Sequence, residues 1–110
     1  SPAEAVAEFS GRRVAALAGT GHPARFFEHL HRLGMTLHEA RAFPDHHSYT
    51  VHEIAAIDAE FILMTEKDAV KCTGFADARI WFMRVDALVP DALSAFLLER
   101  LSTLGKRNVA

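Results

Sequence analysis

Short apolar runs that alternate with helical segments constrain the fold of this chain more than any other feature. The runs lie at residues 14–18, 61–64 and 80–85, and the loosely alternating residues 36–43 indicate a further strand. Runs of this length, bounded by turn and cap residues, are typical of buried strands rather than of helices. Because strand and helix alternate throughout, we predict an α/β fold with a mainly parallel sheet of about four strands and helices on its faces.

Helix start and stop signals occupy the segments between these runs. Pro23 suits the first position of a helix, and Gly34 suits the position just after its end. Thr50 and Glu53 have the spacing of a capping box, and Thr65 is placed to cap a further helix. The helix after Thr50 is predicted to turn four side chains towards the core: Val51, Ile54, Ala55 and Ile57.

Length and composition indicate one domain. The chain has 110 residues, half of them hydrophobic, which is enough for a core of its own. We place an α/β lobe at residues 13–105, where a last helix begins at Pro90 and is closed by Gly105. Residues 1–12 are predicted to connect the lobe to an upstream domain, and residues 106–110 to form a tail. Since the chain begins with Ser1 rather than Met, we expect it to be part of a longer protein.

Charge and cysteine content argue against several functions. The net charge is −2, whereas nucleic-acid-binding domains usually carry a basic patch, so we expect no nucleic-acid partner. Cys72 is the single cysteine, which rules out an internal disulfide and a paired-cysteine metal site. We expect Cys72 to be partly buried and not a nucleophile. No apolar run is long enough to span a membrane, so we expect this segment to be soluble.

The loop Asp45-His46-His47 is the first candidate site. It follows the second predicted strand, and ligands of open α/β sheets bind at the carboxyl ends of the strands. Three interpretations are open. The loop is a solvated turn capped by Asp45, a catalytic site in which Asp45 orients a histidine, or a metal site that uses Asp45, His46, His47 or His52.

Two further loops follow neighbouring strands. Thr65 and Lys67 begin the helix after the third strand, where together with helix amides they could receive an anionic group such as a phosphate. The alternative is a plain helix cap with solvated charges. Gly19-Thr20-Gly21 has part of the dinucleotide-binding fingerprint, but Pro23 removes an amide and no acidic residue ends the second strand. We therefore predict a tight β–α turn there, and the chain also lacks a Walker A sequence.

Four stretches together resemble the tetraacyldisaccharide 4′-kinase family, the lipid A kinases of Gram-negative bacteria. Their order and spacing extend over nearly the whole chain, and the third stretch is long and specific. The first stretch departs from the family pattern at Thr20 and His22, where a branched apolar residue and Asn are typical. The stretches are Ala18-Gly19-Thr20-Gly21-His22-Pro23 with Arg25-Phe26-Phe27, then Phe43-Pro44-Asp45-His46-His47, then Leu63-Met64-Thr65-Glu66-Lys67-Asp68-Ala69-Val70-Lys71-Cys72, and Val85-Asp86-Ala87.

The resemblance implies a P-loop-kinase-like C-terminal lobe that itself lacks the P-loop. Family members transfer the γ-phosphate of ATP to the 4′-hydroxyl of a tetraacyldisaccharide 1-phosphate at the cytoplasmic face of the inner membrane. The resemblance further implies that ATP and Mg²⁺ are bound mainly by the N-terminal half, so that no cofactor is expected in this fragment. The implied partners are the lipid A precursor disaccharide and the protein's own N-terminal kinase domain, with membrane association through the N-terminal region.

Motif matching assigns candidate roles to individual residues. In the family, the histidine of the Asp-His motif pairs with an upstream Asp that acts as base on the hydroxyl, and this histidine corresponds to His46. The resemblance thus implies that His46 and Asp45 are catalytic residues. The candidates for substrate binding are Thr65, Lys67 and His47, and no metal ligand is expected. Without its ATP-binding half the fragment is expected to be inactive. A metal-dependent phosphoesterase of the Asp-His-His type and a non-catalytic α/β interaction module remain the alternatives.

Overall fold

A five-stranded parallel sheet is the centre of the computed structural model, which describes residues 2–83, 103 and 105–108. The strands are β1 Val14–Ala18, β2 Glu39–Ala42, β3 Phe61–Thr65, β4 Ile80–Met83 and β5 Arg107–Asn108. The helices are α1 Pro2–Phe9, α2 Pro23–Arg32, α3 Val51–Ala55 and α4 Glu66–Val70. The strand order is β2-β1-β3-β4-β5 and all neighbours are parallel, which confirms the predicted α/β class.

The central strands are buried on both faces because successive side chains of a strand point to opposite sides of the sheet. From β1, Val14, Ala16 and Ala18 enter one hydrophobic cluster, which also takes side chains from α1 and α2. Ala15 and Leu17 enter a second cluster with side chains from α3 and α4. Helices therefore cover both faces of the sheet, as the continuous apolar runs predict.

The helix ends lie where the capping residues predict them. Pro23 is the first residue of α2, and Gly34 follows the helix with φ of +92°, a conformation that glycine adopts without steric cost. The capping box of α3 is complete. The Thr50 hydroxyl accepts a hydrogen bond from the Glu53 amide at 3.1 Å, and the Thr50 amide donates to Glu53 Oε1 at 2.9 Å.

The N-terminal segment is more ordered than the predicted connection at residues 1–12. It forms α1, and Phe9 at its end is only 4% exposed. The Phe9 ring centroid lies 4.8 Å from that of Phe61 and 5.1 Å from that of Trp81, so α1 contributes to the core. Nearly all of the helix predicted from Pro90 to Gly105, and residues 84–85 at the end of the fourth predicted strand, lie outside the described residues. The domain bounds stay a prediction.

Two local features differ from what the sequence indicates. Arg107 and Asn108 pair with β4 as a fifth strand, which is not predicted from the sequence. Two polar residues carry no strand pattern, and they pair because the edge of β4 offers free backbone groups. The prediction that Val51 and Ala55 face the core is wrong, since Val51 is 58% exposed and Ala55 is also exposed. A helix of only five residues directs little more than the Ile54 side chain towards the sheet.

Arg79 fastens the end of α3 to the start of β4. Its guanidinium donates to the carbonyl oxygens of Ile57 at 2.7 Å, Ala59 at 3.1 Å and Ile54 at 2.9 Å. Ile54 lies in α3, and Ile57 and Ala59 lie in the connection from α3 to β3. Asp77 orients the guanidinium through an Nη2–Oδ2 contact of 2.7 Å, and the hydrogen bonds from Arg79 lower the pKa of Asp77. Helix α3, which follows the 43–50 loop, is thereby anchored to the start of β4.

We expect Asp77→Asn to lower the free energy of unfolding by about 1–3 kcal/mol at pH 7, since a charged hydrogen-bond acceptor is lost from a largely buried position. The folded-state pKa of Asp77 is lowered, so its contribution is present above the unfolded-state pKa of about 3.9 and is lost as the pH falls through the folded-state value. In urea denaturation, the difference between parent and variant should shrink below about pH 4.

Asp58→Asn is the matched control. Its carboxylate is 81% exposed and lies 3.5 Å from Arg13 Nη2, so its loss should change stability by less than about 0.5 kcal/mol. Equal losses for the two variants at pH 7 would contradict the anchoring role of Asp77.

Candidate functional site

Three loops meet at the carboxyl edge of the sheet, one after each of β1, β2 and β3. The strand register pairs Ala18 with Ala42 and Leu17 with Met64, so the carboxyl ends of the three strands lie side by side. The chain order of the strands reverses between β1 and β3. Open α/β sheets bind ligands outside the carboxyl ends of their strands at such a switch point, so this edge is the candidate site.

Asp68 joins β1 and β3 at this edge. Its Oδ2 accepts hydrogen bonds from the Gly19 amide at 3.0 Å and from the Thr65 hydroxyl at 2.8 Å, and its Oδ1 lies 3.3 Å from Lys71 Nζ. Asp68 is fully buried. The Gly19 amide is therefore already bonded to a carboxylate instead of being open to a phosphate, which agrees with a β–α turn at this position rather than a dinucleotide-binding loop.

Tyr49, from the loop after β2, packs against the same junction. A Cβ added to Gly19 would lie 3.2 Å from the Tyr49 hydroxyl, 3.2 Å from Asp68 Oδ1 and 3.4 Å from His47 Cβ. Burial and the neighbouring Asp68 carboxylate raise the pKa of Tyr49. Lys71 Nζ lies 5.8 Å from the centre of the Tyr49 ring. The absence of a side chain at Gly19 is thus what allows the three loops to approach each other.

The Asp45-His46 pair lies at the tip of the loop after β2. The His47 amide closes a turn on the Pro44 carbonyl at 3.1 Å, and Asp45 Oδ1 accepts from the His46 amide at 3.0 Å. His46 has a φ of +62°, in the left-handed region. Its side chain is 92% exposed, with Nε2 at 3.6 Å from Asp45 Oδ2. An exposed imidazole beside a carboxylate is able to accept, donate or orient a proton of a bound group.

His47 has the opposite environment, with its side chain only 23% exposed. Its Nε2 lies 3.0 Å and 3.2 Å from the two carboxylate oxygens of Glu53. The ring stacks on Phe43 at 4.5 Å between centroids and meets the edge of Tyr49 at 5.0 Å. The Thr50 amide and His47 both hydrogen-bond to Glu53, and these bonds lower the pKa of Glu53.

The remaining predicted site residues lie at the same edge in different environments. Asp45 borders the first loop, since its Oδ2 is 3.7 Å from where a Cβ of Gly21 would lie. Thr65 is 4% exposed, and its hydroxyl both donates to the Asp68 carboxylate and accepts from the Asp68 amide. Lys67, in the first turn of α4, is exposed.

The described residues at this edge do not support a catalytic cysteine or a metal site. Cys72 is completely buried, and burial raises the pKa of its thiol to about 12. Within residues 2–83, 103 and 105–108, no group of three or more His, Cys, Asp or Glu side chains is arranged to hold a metal ion. The interpretation of Asp45, His46, His47 and His52 as a metal site therefore gains nothing from the described part of the chain.

Sequence reasoning missed two contacts that organise the site. Thr65 is predicted as a helix cap but Asp68 is not predicted as its partner, although Thr65 and Asp68 have the spacing of a side-chain cap. Glu53 was recognised as part of a capping box, but not as the partner of His47. The cap spacing could have indicated the first contact, whereas no local pattern indicates the second.

Comparisons with known proteins identify the family of this chain. The profile of the family described as tetraacyldisaccharide-1-P 4′-kinase matches residues 2–102. Three relatives named tetraacyldisaccharide 4′-kinase are similar to the chain. The protein of Methylobacillus flagellatus is 44% identical over 96% of this chain and 31% of its own length. The protein of Chromobacterium violaceum is 42% identical over 94% of this chain and 32% of its own length. The protein of Actinobacillus pleuropneumoniae is 43% identical over 92% of this chain and 32% of its own length.

The strand order, together with loops gathered at the carboxyl edge, defines an α/β domain of the doubly wound class. The chain belongs to the tetraacyldisaccharide 4′-kinase family, which confirms the resemblance inferred from its four stretches. It spans about a third of the length of the curated relatives it matches. No solved structure matches it significantly.

We expect Gly19→Ala to lower the free energy of unfolding by about 1–3 kcal/mol, because the added methyl group would press on Asp68 and Tyr49 in a packed region. Chemical denaturation measures the change. Gly74→Ala is the control, since a Cβ there meets nothing within 4 Å and should leave stability unchanged or slightly raised. A Gly19 variant as stable as the Gly74 variant would show that the three loops do not need their close approach.

Proposed function

We propose that this chain is the C-terminal part of a kinase that transfers the γ-phosphate of ATP to the 4′-hydroxyl of tetraacyldisaccharide 1-phosphate in lipid A biosynthesis. The observation that supports this most is the family match over residues 2–102. The names of the relatives, each of which the chain covers by about a third, point to the same activity. The chain alone is expected not to turn over.

Within this function, we propose that His46 acts at the acceptor hydroxyl, with Asp45 beside it. Phosphoryl transfer requires the protein mainly to position the reacting groups and to stabilise charge. The exposure of the His46 side chain at the carboxyl edge supports the role, because a group approaching from another domain can reach it. Asp45 also bonds the His46 amide, so it orients both the backbone and the ring.

For substrate binding, the environments of the candidates favour Lys67. Its exposed ammonium in the first turn of α4 suits contact with an anionic group of the substrate. The Thr65 hydroxyl is buried and both donates and accepts hydrogen bonds with Asp68, so its proposed part is to fix Asp68. His47 keeps its Nε2 on Glu53, which makes an indirect part in substrate binding the better proposal.

ATP and Mg²⁺ are proposed to bind mainly outside this chain, in an N-terminal kinase domain that is also its partner. The absence of a Walker A sequence from all 110 residues supports this, as does the engagement of the Gly19 amide by Asp68. Membrane association at the cytoplasmic face of the inner membrane is assigned to the same N-terminal region. No helix in the described part of the chain is long and apolar enough to cross a bilayer.

In the full-length parent enzyme, we expect His46→Ala to lower kcat for 4′-phosphorylation by roughly a hundred- to ten-thousand-fold, the usual value of assisted proton transfer. Steady-state kinetics with the disaccharide 1-phosphate measures it. His38→Ala is the matched control. His38 is also exposed, but it lies before β2 at the opposite edge of the sheet, where its amide bonds the Val14 carbonyl. Full turnover by the His46 variant would reject its catalytic role.

Lys67→Ala in the same enzyme should raise the KM for the disaccharide 1-phosphate with a smaller effect on kcat, because a contact made equally in ground and transition states affects mainly binding. Lys67→Arg keeps the positive charge and should retain most of the affinity. If both kinetic constants of the alanine variant equal those of the parent, Lys67 is a solvated charge.

A further inference from the structure

His46 has an unusual backbone for an exposed residue. It is the only non-glycine residue with positive φ in the described part of the chain. A residue with a side chain is strained in this conformation, and it persists there only where the surroundings hold the backbone. The His46 ring is 92% exposed, so its own packing cannot supply this restraint. The restraint must come from its neighbours in the loop.

The residue that follows His46 supplies the restraint. His47 is held by both oxygens of Glu53, by the face of Phe43 and by the edge of Tyr49. Its amide also bonds the Pro44 carbonyl, which closes the turn over His46. The loop is thereby fixed on the carboxyl side of His46 by three side chains.

Glu53 is itself immobilised. Its Oε1 accepts from the Thr50 amide at 2.9 Å, and its backbone lies in α3, whose far end is fastened by Arg79. His47 is therefore attached to a fixed point of the scaffold and not to another mobile side chain. The connection runs from the core through α3 and Glu53 to His47, and from there to the backbone of His46.

We propose that the Glu53–His47 pair is a positioning device that holds His46 in its left-handed conformation, aimed at the acceptor hydroxyl. The inference rests on the proposed function and adds two positioning residues to it. Neither Glu53 nor His47 needs to touch the substrate. Misplacement of a reacting group by about 1 Å is enough to cost up to a hundredfold in rate.

The test uses the full-length enzyme with His47→Ala, His47→Gln and Val51→Ala. For His47→Ala, kcat should fall roughly ten- to a hundredfold, with the KM for the disaccharide 1-phosphate within about twofold of the parent value. His47→Gln should recover most of kcat, because a Gln amide can still donate to Glu53. Val51→Ala is the matched control, since it changes an exposed side chain of the same helix and leaves the His47–Glu53 contacts, so it should keep kcat within about twofold.

A double variant separates positioning from direct action. If His47 acts only through His46, adding His47→Ala to His46→Ala should cost no further activity. A further loss of the same size in the double variant would mean that His47 acts by itself, and would overturn the inference. A raised KM with unchanged kcat for His47→Ala would also overturn it, in favour of a direct substrate contact.

Failure of this inference is distinguishable from failure of the proposed function. Loss of kcat in His46→Ala with full kcat in His47→Ala overturns the positioning role alone. Full kcat in both variants overturns the catalytic role of His46, and the positioning role with it. Circular dichroism and thermal unfolding of each variant confirm that the kinetics are those of folded enzyme. Should His47→Ala fail to fold, Glu53→Ala removes the same contact from its other side and should lower kcat in the same way, whereas full kcat in that variant overturns the positioning role.

Discussion

The carboxyl edge of this sheet depends on one buried carboxylate. Burial of a charged group costs several kcal/mol unless hydrogen bonds replace the lost water, and Asp68 receives them from the Gly19 amide, the Thr65 hydroxyl and Lys71. These bonds are directional, so they set where the chain leaves β1 relative to the start of α4. Tyr49 then packs onto this junction because Gly19 has no side chain to prevent it.

The site therefore has a rigid base and an exposed tip. The base is made of Asp68, Thr65 and Tyr49, all buried. The tip is His46, which extends into solvent from a turn that Glu53 and His47 hold from one side. Such an arrangement suits the role proposed for His46, since the supporting residues leave its imidazole accessible while limiting its backbone.

Most of the fold could be predicted because its signals are local. Each signal depends on residues a few positions apart, and each corresponds to an observed element. The signals are the four strand segments, Pro23, Gly34 and the Thr50–Glu53 capping box. The features that the sequence did not indicate depend instead on residues far apart in the chain or on how an element packs. Arg107 and Asn108 become a strand only because β4 lies beside them, and Val51 is exposed because the short α3 presents little more than Ile54 to the sheet.

For the candidate site, the family, the three loops and the residue types that they carry can all be inferred from the amino-acid sequence. Motifs of this kind are contiguous, so they are visible without a fold. Which of the polar side chains are buried and which are exposed follows only from the packing of the folded chain. The Asp68–Gly19 bond joins residues 49 positions apart, and the stacking of His47 on Phe43 requires the loop to close back on β2. Such contacts arise from the packing of the sheet and its helices, and no local spacing encodes them.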